Sequence, residues 1–184
     1  ANPGTVNQEY LEGLHEVGFN RISFGMQSSS PFELKTLDRQ HKYEDVVSAV
    51  KWSKQAGLTN INLDLIFGIP GQTIESWMRS LDLAMMFEVS HLSIYSLIKE
   101  DGTPLKSWID RGLVLAPEED NAAEMYIRTM QFLEGQGFSQ YEISNWSQNE
   151  GSQCQHNLQY WRFLPYLGFG AGAHGFWHNT RTEN

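Results

Sequence analysis

Residues Asn62-Leu-Asp-Leu-Ile-Phe-Gly-Ile-Pro-Gly-Gln-Thr73 limit the possible folds more than any other stretch. They read as a buried strand carrying one carboxylate, Asp64, that runs directly into a glycine-proline turn, with Thr73 placed to cap a helix. A lone acid in an apolar strand is destabilising by several kcal/mol unless something pairs with it. A strand that ends in Gly-x-Pro-Gly and feeds a helix is also the corner at which α/β barrels build their sites. Asp64 is therefore either a structural acid with an internal partner or a ligand-binding residue at a barrel mouth.

The surrounding pattern alternates helix and strand. Thr5, with Gln8 three residues on, suits a helix cap. Val6, Tyr10, Leu14 and Val17 then mark one helical face, and Gly18 stops the helix. Arg21 to Gly25 reads as a short strand, Gln27 to Ser30 as a polar loop, and Ser30-Pro31 as the start of a short helix. Tyr43 to Ala56 is a second helix, with Val46, Val47, Val50 and Ala56 inward and Gly57 as its stop. Asn60 to Phe67 is a strand, Thr73 to about Glu88 a helix, and His91 to Leu97 a third strand. Crossovers long enough for helices imply parallel strands with right-handed connections. Three strands cannot close a barrel, so either further strands precede Ala1 or the sheet is open.

After Leu97 the rhythm changes. Asp101 to Pro104 is a turn, followed by a short helix around Trp108. Pro117 suits the first turn of a long helix whose apolar positions include Met125, Ile127, Met130 and Leu133. Phe138 to Trp146 alternates like one strand. From Gly151 the chain is rich in glycine, asparagine, histidine and aromatic residues and fits no simple period.

Composition excludes some functions. At 184 residues the chain is long enough for one domain with a real core. A net charge of −9 opposes general nucleic-acid binding. No stretch approaches the roughly 18 apolar residues of a membrane span. The single cysteine, Cys154, precludes an internal disulfide framework or a multi-cysteine metal site, and fits a reducing cytoplasm. The abrupt start at Ala1 and the ending at Asn184 suggest a piece of a longer protein.

Strand ends in a parallel barrel face one mouth. Gln27, Asp64, the Gly68–Gly71 turn and the Ser96–Asp101 stretch meet there. Asp64 and Gln27 suit ribose or sugar hydroxyls, and Arg39 could clamp a carboxylate. The plainer alternatives are that Asp64 bonds only backbone amides, Arg39 pairs with Asp38 at the surface, and Gln27 caps Ser30. Asp64 as a general base, its pKa raised by burial, is a further option. The tail holds Cys154, His156, Tyr160, Trp161 and the glycine run Gly168–Gly175. These residues could ligate a haem iron and flank its ring. On their own they favour a packed aromatic loop with a hydrogen-bonded histidine.

A family pattern joins these segments. Ala1-Asn-Pro-Gly-Thr5, Arg21-Ile-Ser-Phe-Gly-Met-Gln-Ser28, Asp64-Leu-Ile-Phe-Gly-Ile-Pro-Gly-Gln-Thr73, Tyr141-Glu-Ile-Ser-Asn145, His156-Asn-Leu-Gln-Tyr-Trp161 and Tyr166-Leu-Gly-Phe-Gly-Ala-Gly-Ala-His174 resemble the oxygen-independent coproporphyrinogen III oxidase-like radical S-adenosylmethionine (SAM) proteins. The His-Asn-x-x-Tyr-Trp segment resembles their haem-chaperone branch. The resemblance implies an α/β fold: the later half of a partial parallel barrel over residues 1–100, and the start of an α+β extension over 101–184. It implies SAM held by Gln27, Arg39 and Asp64, with Ile98 lining that site. It implies haem near His156, Asn157, Tyr160 and Trp161, and a haem acceptor protein as partner. The family's 4Fe–4S cluster rests on three cysteines spaced Cys-x-x-x-Cys-x-x-Cys. This chain lacks that motif, so the resemblance puts those ligands upstream. The alternatives are the oxidase itself, which decarboxylates porphyrinogen propionates, and a plain barrel enzyme with Asp64 as base.

Overall fold

The structure is a computed structural model that describes residues 1–116 and 118–183. The expected helix-initiating role of Pro117 falls outside the described residues. Two compact units divide at Ser152 and Gln153.

The first unit is built on a five-stranded sheet. Strands β1 (Arg21–Gln27), β2 (Asn60–Phe67) and β3 (His91–Ser96) run parallel. Helices α2 (Pro31–Thr36) and α3 (Tyr43–Gln55) fill the first crossover, and α4 (Ile74–Met85) the second. The chain continues through α5 (Pro104–Asp110) and α6 (Glu119–Gly135) into the strands β4 (Ser139–Glu142) and β5 (Asn145–Ser147). Both are antiparallel additions, giving the order β1-β2-β3-β5-β4. The stretch from residue 101 to 152 therefore packs with the parallel strands as one unit. Ala1 bonds to the outer edge of β1: its carbonyl accepts from the Gly25 N–H, and its ammonium donates to the Ser23 carbonyl.

Period-2 alternation gives this sheet two unlike faces. Ile22, Phe24, Met26, Ile61, Leu63, Leu65, Phe67, Leu92 and Ile94 are buried in the main hydrophobic cluster. Val46, Ala49 and Val50 of α3 and Trp77, Leu81 and Ala84 of α4 join them there. α6 packs against α4, where the Trp77 Nε1–H donates to Thr129 Oγ1 at 2.8 Å. The other face carries Arg21, Ser23, Asn60, Asn62, Asp64, His91 and Ser93. That alternation is visible in the sequence itself, and it corrects the picture of Asp64 as an acid isolated in an apolar strand.

Several elements start or face differently from expectation. Helix α1 (Gln8–Glu16) is capped by Asn7, whose side chain accepts from the Tyr10 N–H, and not by Thr5. Thr5 instead closes a 3-10 turn, Pro3–Thr5, by donating to the Asn2 carbonyl. The helix turns Leu11 fully inward and leaves Tyr10 and Val17 exposed. Val47 and Ile127 are also exposed, while Ala49 and Thr129 take inward positions. The expected single strand from Phe138 to Trp146 is a hairpin. Glu142 accepts from the Ser144 N–H and closes the turn, and the apolar Ile143 sits exposed at its tip.

The second unit holds α7 (Gln155–Trp161) and a two-stranded sheet, β6 (His174–Trp177) with β7 (Thr180–Glu183). Tyr166 and Phe176 exchange backbone hydrogen bonds at 2.8 Å each. A Cβ on Gly168 would collide with the His174 backbone carbonyl. The glycine run thus permits a close approach of the chain to itself.

Candidate functional site

The polar sheet face is organised in rows set by strand register. Ser23, Asn62, His91 and Ser147 stand side by side in one row, and Gly25, Asp64, Ser93 and Asn145 in the next. Asp64 therefore lies mid-strand, below the turn that ends β2. Its carboxylate accepts from Ser23 Oγ at 2.8 Å and from Asn62 Nδ2 at 2.7 Å. Burial pushes its pKa up, while those two bonds, the Ala1 ammonium and Ser93 pull it down. An ionised carboxylate has acceptor positions for about four donors. The Ser23 and Asn62 bonds leave capacity for two hydroxyls of one ligand.

Gln27 joins this row from the end of β1. A bulge between Gly25 and Gln27 sets Gln27 opposite Leu65, and its φ of 61° is left-handed. The side chain folds back over Gly25, so close that a Cβ there would lie 2.6 Å from Gln27 Nε2. The amide is thereby brought level with Asp64 on the same face. Gln27 does not serve as a cap, since Ser30 caps α2 with its own hydroxyl.

Arg39 lies on the loop after α2. Its Nη1 donates to Asn2 Oδ1 at 3.3 Å, and no ion pair joins it to Asp38 among the described residues. A cavity of about 340 Å³ opens beside it, lined by Asn2, Thr5, Asp38, His41 and Asp45. His41 fastens this loop to β1 through the Met26 carbonyl at 3.2 Å. Arg39 thus stands near the end of β1, joined to the Asp64 row through Asn2 and the Ala1–β1 bonds rather than by contact. Ile98, on the stretch after β3, is 74% exposed and adds no packing to the row.

Sequence reasoning missed two groups of residues. Ser23, Asn62, His91, Ser93, Tyr141 and Asn145 form a continuous network behind Asp64. His91 contacts Asn62 Oδ1 through Nδ1 at 2.6 Å and the Tyr141 hydroxyl through Nε2 at 2.7 Å. Burial, with help from Arg21, depresses the pKa of His91 to about 3, so the ring is neutral. The second group centres on Glu33, a buried carboxylate on α2. It accepts from Ser28 Oγ at 2.5 Å, from Gln72 Nε2 at 2.9 Å, and from Ser76 Oγ. It ties the loop after β1 to the turn after β2, so both mouth loops rest on one side chain.

In the second unit, α7 presents His156 and Tyr160 one turn apart. His156 Nε2 lies 3.2 Å from the Tyr160 hydroxyl and Nδ1 lies 3.1 Å from Gln159 Nε2. The rings of His156, Tyr160, Tyr166 and Phe176 follow one another with centroid separations of 5.0, 4.7 and 6.3 Å. Trp161 is half exposed at the helix end, Asn157 is half-buried, and Leu158 is the helix's buried residue. Phe163 and Phe169 are exposed at 80% and 84%. A solvent-facing imidazole beside exposed aromatic rings could hold a flat apolar ring that carries a metal. An iron–sulfur cluster is different. No group of three His, Cys, Asp or Glu residues suited to a metal ion occurs among the described residues, and Cys154 is the single cysteine of the chain.

Comparison with known proteins gives the class. Residues 1–84 match the model of the Radical SAM superfamily. Along its whole length it is 41% identical to the heme chaperone HemW of Bacillus subtilis, over 184 residues covering 48% of that protein. It is also 41% identical to HemW of Escherichia coli, over 95% of this chain and 45% of that one. The chain spans about half the length of the curated relatives it matches. A solved structure of Escherichia coli coproporphyrinogen III oxidase (HemN), described as a radical SAM enzyme, superposes with a TM-score of 0.80. The match covers 95% of this chain and 43% of that one at 19% identity, which shows the shared fold. The expected class, a mixed α/β fold with parallel strands of a radical SAM barrel, is borne out.

Proposed function

We propose that this chain supplies the SAM-holding sheet and a haem-binding segment of a protein that works as a haem chaperone, binding haem and passing it to an acceptor protein. Asp64 and Gln27 engage the ribose hydroxyls, Arg39 takes the methionine carboxylate, and Ile98 covers the ligand from the stretch after β3. Bound SAM supplies radical chemistry when an iron–sulfur centre delivers electrons. The residues of this chain orient the nucleoside and fix its hydroxyls. Asp64 acts here as an acceptor rather than a base, because Ser23 and Asn62 both donate to it and so favour its ionised form. His156, with Asn157, Tyr160 and Trp161 around it, would hold haem.

The observation that carries the haem reading is the solvent-facing His156–Tyr160 pair within an aromatic run, in a chain 41% identical to a heme chaperone. The reducing cytoplasm is the compartment we assign, on the single cysteine. No helix among the described residues is long and apolar enough to cross a membrane. Haem titration of the full-length protein, followed by its Soret band, tests the proposal. Wild type binds haem and His156→Ala binds at least tenfold more weakly. Equal binding by the variant removes His156 from the site, and absence of binding by wild type rejects the chaperone function.

A further inference from the structure

Asp64 is held by an amide that could face either way. Asn62 Nδ2 lies 2.7 Å from Asp64 Oδ1 and 2.8 Å from Ser23 Oγ, while Asn62 Oδ1 lies 2.6 Å from His91 Nδ1 and 3.2 Å from Ser93 Oγ. A flipped carboxamide would fill the same volume and turn an oxygen toward the carboxylate, setting acceptor against acceptor. Something must select the productive orientation. Ser93 has one proton, and its shorter contact, 2.6 Å, is to Asn145 Oδ1. The selecting donor is therefore His91. Its ring is buried, and its far nitrogen lies 2.7 Å from the Tyr141 hydroxyl on the β4–β5 hairpin. A phenol that donates to Nε2 keeps the imidazole proton on Nδ1, where it must meet an oxygen.

We propose that His91 is a positioning residue for Asp64: it orients the Asn62 amide toward the carboxylate, and Tyr141 holds His91 in the required tautomer. The proposal rests on the reading that Asp64 receives a ribose diol. It extends the nucleoside site by a chain of three hydrogen bonds, Tyr141 to His91 to Asn62 to Asp64. This chain makes the antiparallel hairpin part of the support for a site on the parallel strands. Without the chain the Asn62 amide samples both orientations, and Asp64 loses a fixed donor and its alignment.

The test uses the full-length protein with S-adenosylhomocysteine as probe. His91→Phe keeps the ring volume and is expected to weaken binding about tenfold. His91→Asn retains a donor near the Nδ1 position and stays within about threefold of wild type. Tyr141→Phe weakens binding about twofold to threefold, which keeps the idea testable if His91→Phe does not fold. In an Asp64→Asn background, His91→Phe has no further effect. Wild-type affinity in His91→Phe, or an equal loss in the Asp64→Asn background, overturns the proposal. The carboxyl carbon resonance of Asp64 gives a readout independent of ligand: its titration midpoint rises in His91→Phe and returns toward wild type in His91→Asn. If wild type fails to bind the probe while that midpoint moves, the nucleoside reading falls and the positioning chain stands. An unmoved midpoint overturns the chain.

Discussion

The Gln27 side chain lies directly over Gly25, with Nε2 where a Cβ on Gly25 would stand 2.6 Å away. Gly25 is paired in register with Asp64, so the absent side chain is the space that lets the Gln27 amide reach the Asp64 row. A methyl at this point displaces the mobile end of one side chain and little else. Gly25→Ala is therefore expected to lower stability by less than about 1 kcal/mol. Its affinity for S-adenosylhomocysteine should fall about tenfold, close to the loss in Gln27→Ala. Urea unfolding and calorimetric titration check the two halves. Unchanged affinity in Gly25→Ala would detach Gln27 from the site.

Asp64 and His91 give opposite pH signatures. Burial raises the pKa of Asp64 above its ordinary 3.8, so the folded chain binds this proton more tightly than the unfolded chain. Its contribution therefore favours folding at low pH and is lost as pH rises through the raised value. Asp64→Asn removes that penalty. The variant should be at least as stable as wild type at pH 7, with the difference shrinking toward pH 4, although its ligand affinity falls.

His91 is depressed from 6.5 to about 3, so its contribution is present above 6.5 and lost as pH falls toward 3. One proton gives a slope of up to about 1.4 kcal/mol per pH unit in that window. Chemical unfolding between pH 7 and pH 5 should show a flatter acid limb in His91→Asn than in wild type. Parallel limbs would mean that His91 is not held neutral.

Glu33 is the joint between the two mouth loops. Removing its carboxylate leaves Ser28, Gln72 and Ser76 as donors without their shared acceptor, at about 1–3 kcal/mol for each buried group left unsatisfied. Glu33→Ala should cost at least about 3 kcal/mol in urea unfolding. It should also loosen the Gln27 loop, read as faster amide hydrogen exchange at Ser28 to Ser30. Exchange confined to α2 alone would separate Glu33 from the mouth.

Much of the site's frame was legible because it rests on local rules. Asn60 to Phe67 shows its bounds through β-rich residues followed by Gly-x-Pro-Gly, and Thr73 and Ser30 cap their helices as their side chains suggest. Legibility failed where tertiary context decides. Asn7 outcompetes Thr5 because the Pro3 turn consumes Thr5 first, and the docked helix buries Leu11 instead of Tyr10 and Val17. The hairpin at Ile143 could not be read from alternation, since Glu142 closes the turn with its side chain. Asp64 and Gln27 were identified as a pair by chemistry and resemblance. The support behind Asp64 was not, because Asn62, His91 and Tyr141 meet only after residues up to 79 positions apart are brought together by the sheet. The period-2 run Asn60, Asn62, Asp64 was the available signal for a polar face.

The most direct measurement compares the affinity of the full-length protein for S-adenosylhomocysteine with that for its 2′,3′-dideoxyribose analogue. If Asp64 and Gln27 hold the ribose hydroxyls, wild type favours the natural ligand by at least about tenfold, the scale of one or two lost charge-assisted hydrogen bonds. In Asp64→Asn that preference collapses toward unity. Equal wild-type affinities, or full discrimination retained in Asp64→Asn, would contradict the assignment of this row as the nucleoside site.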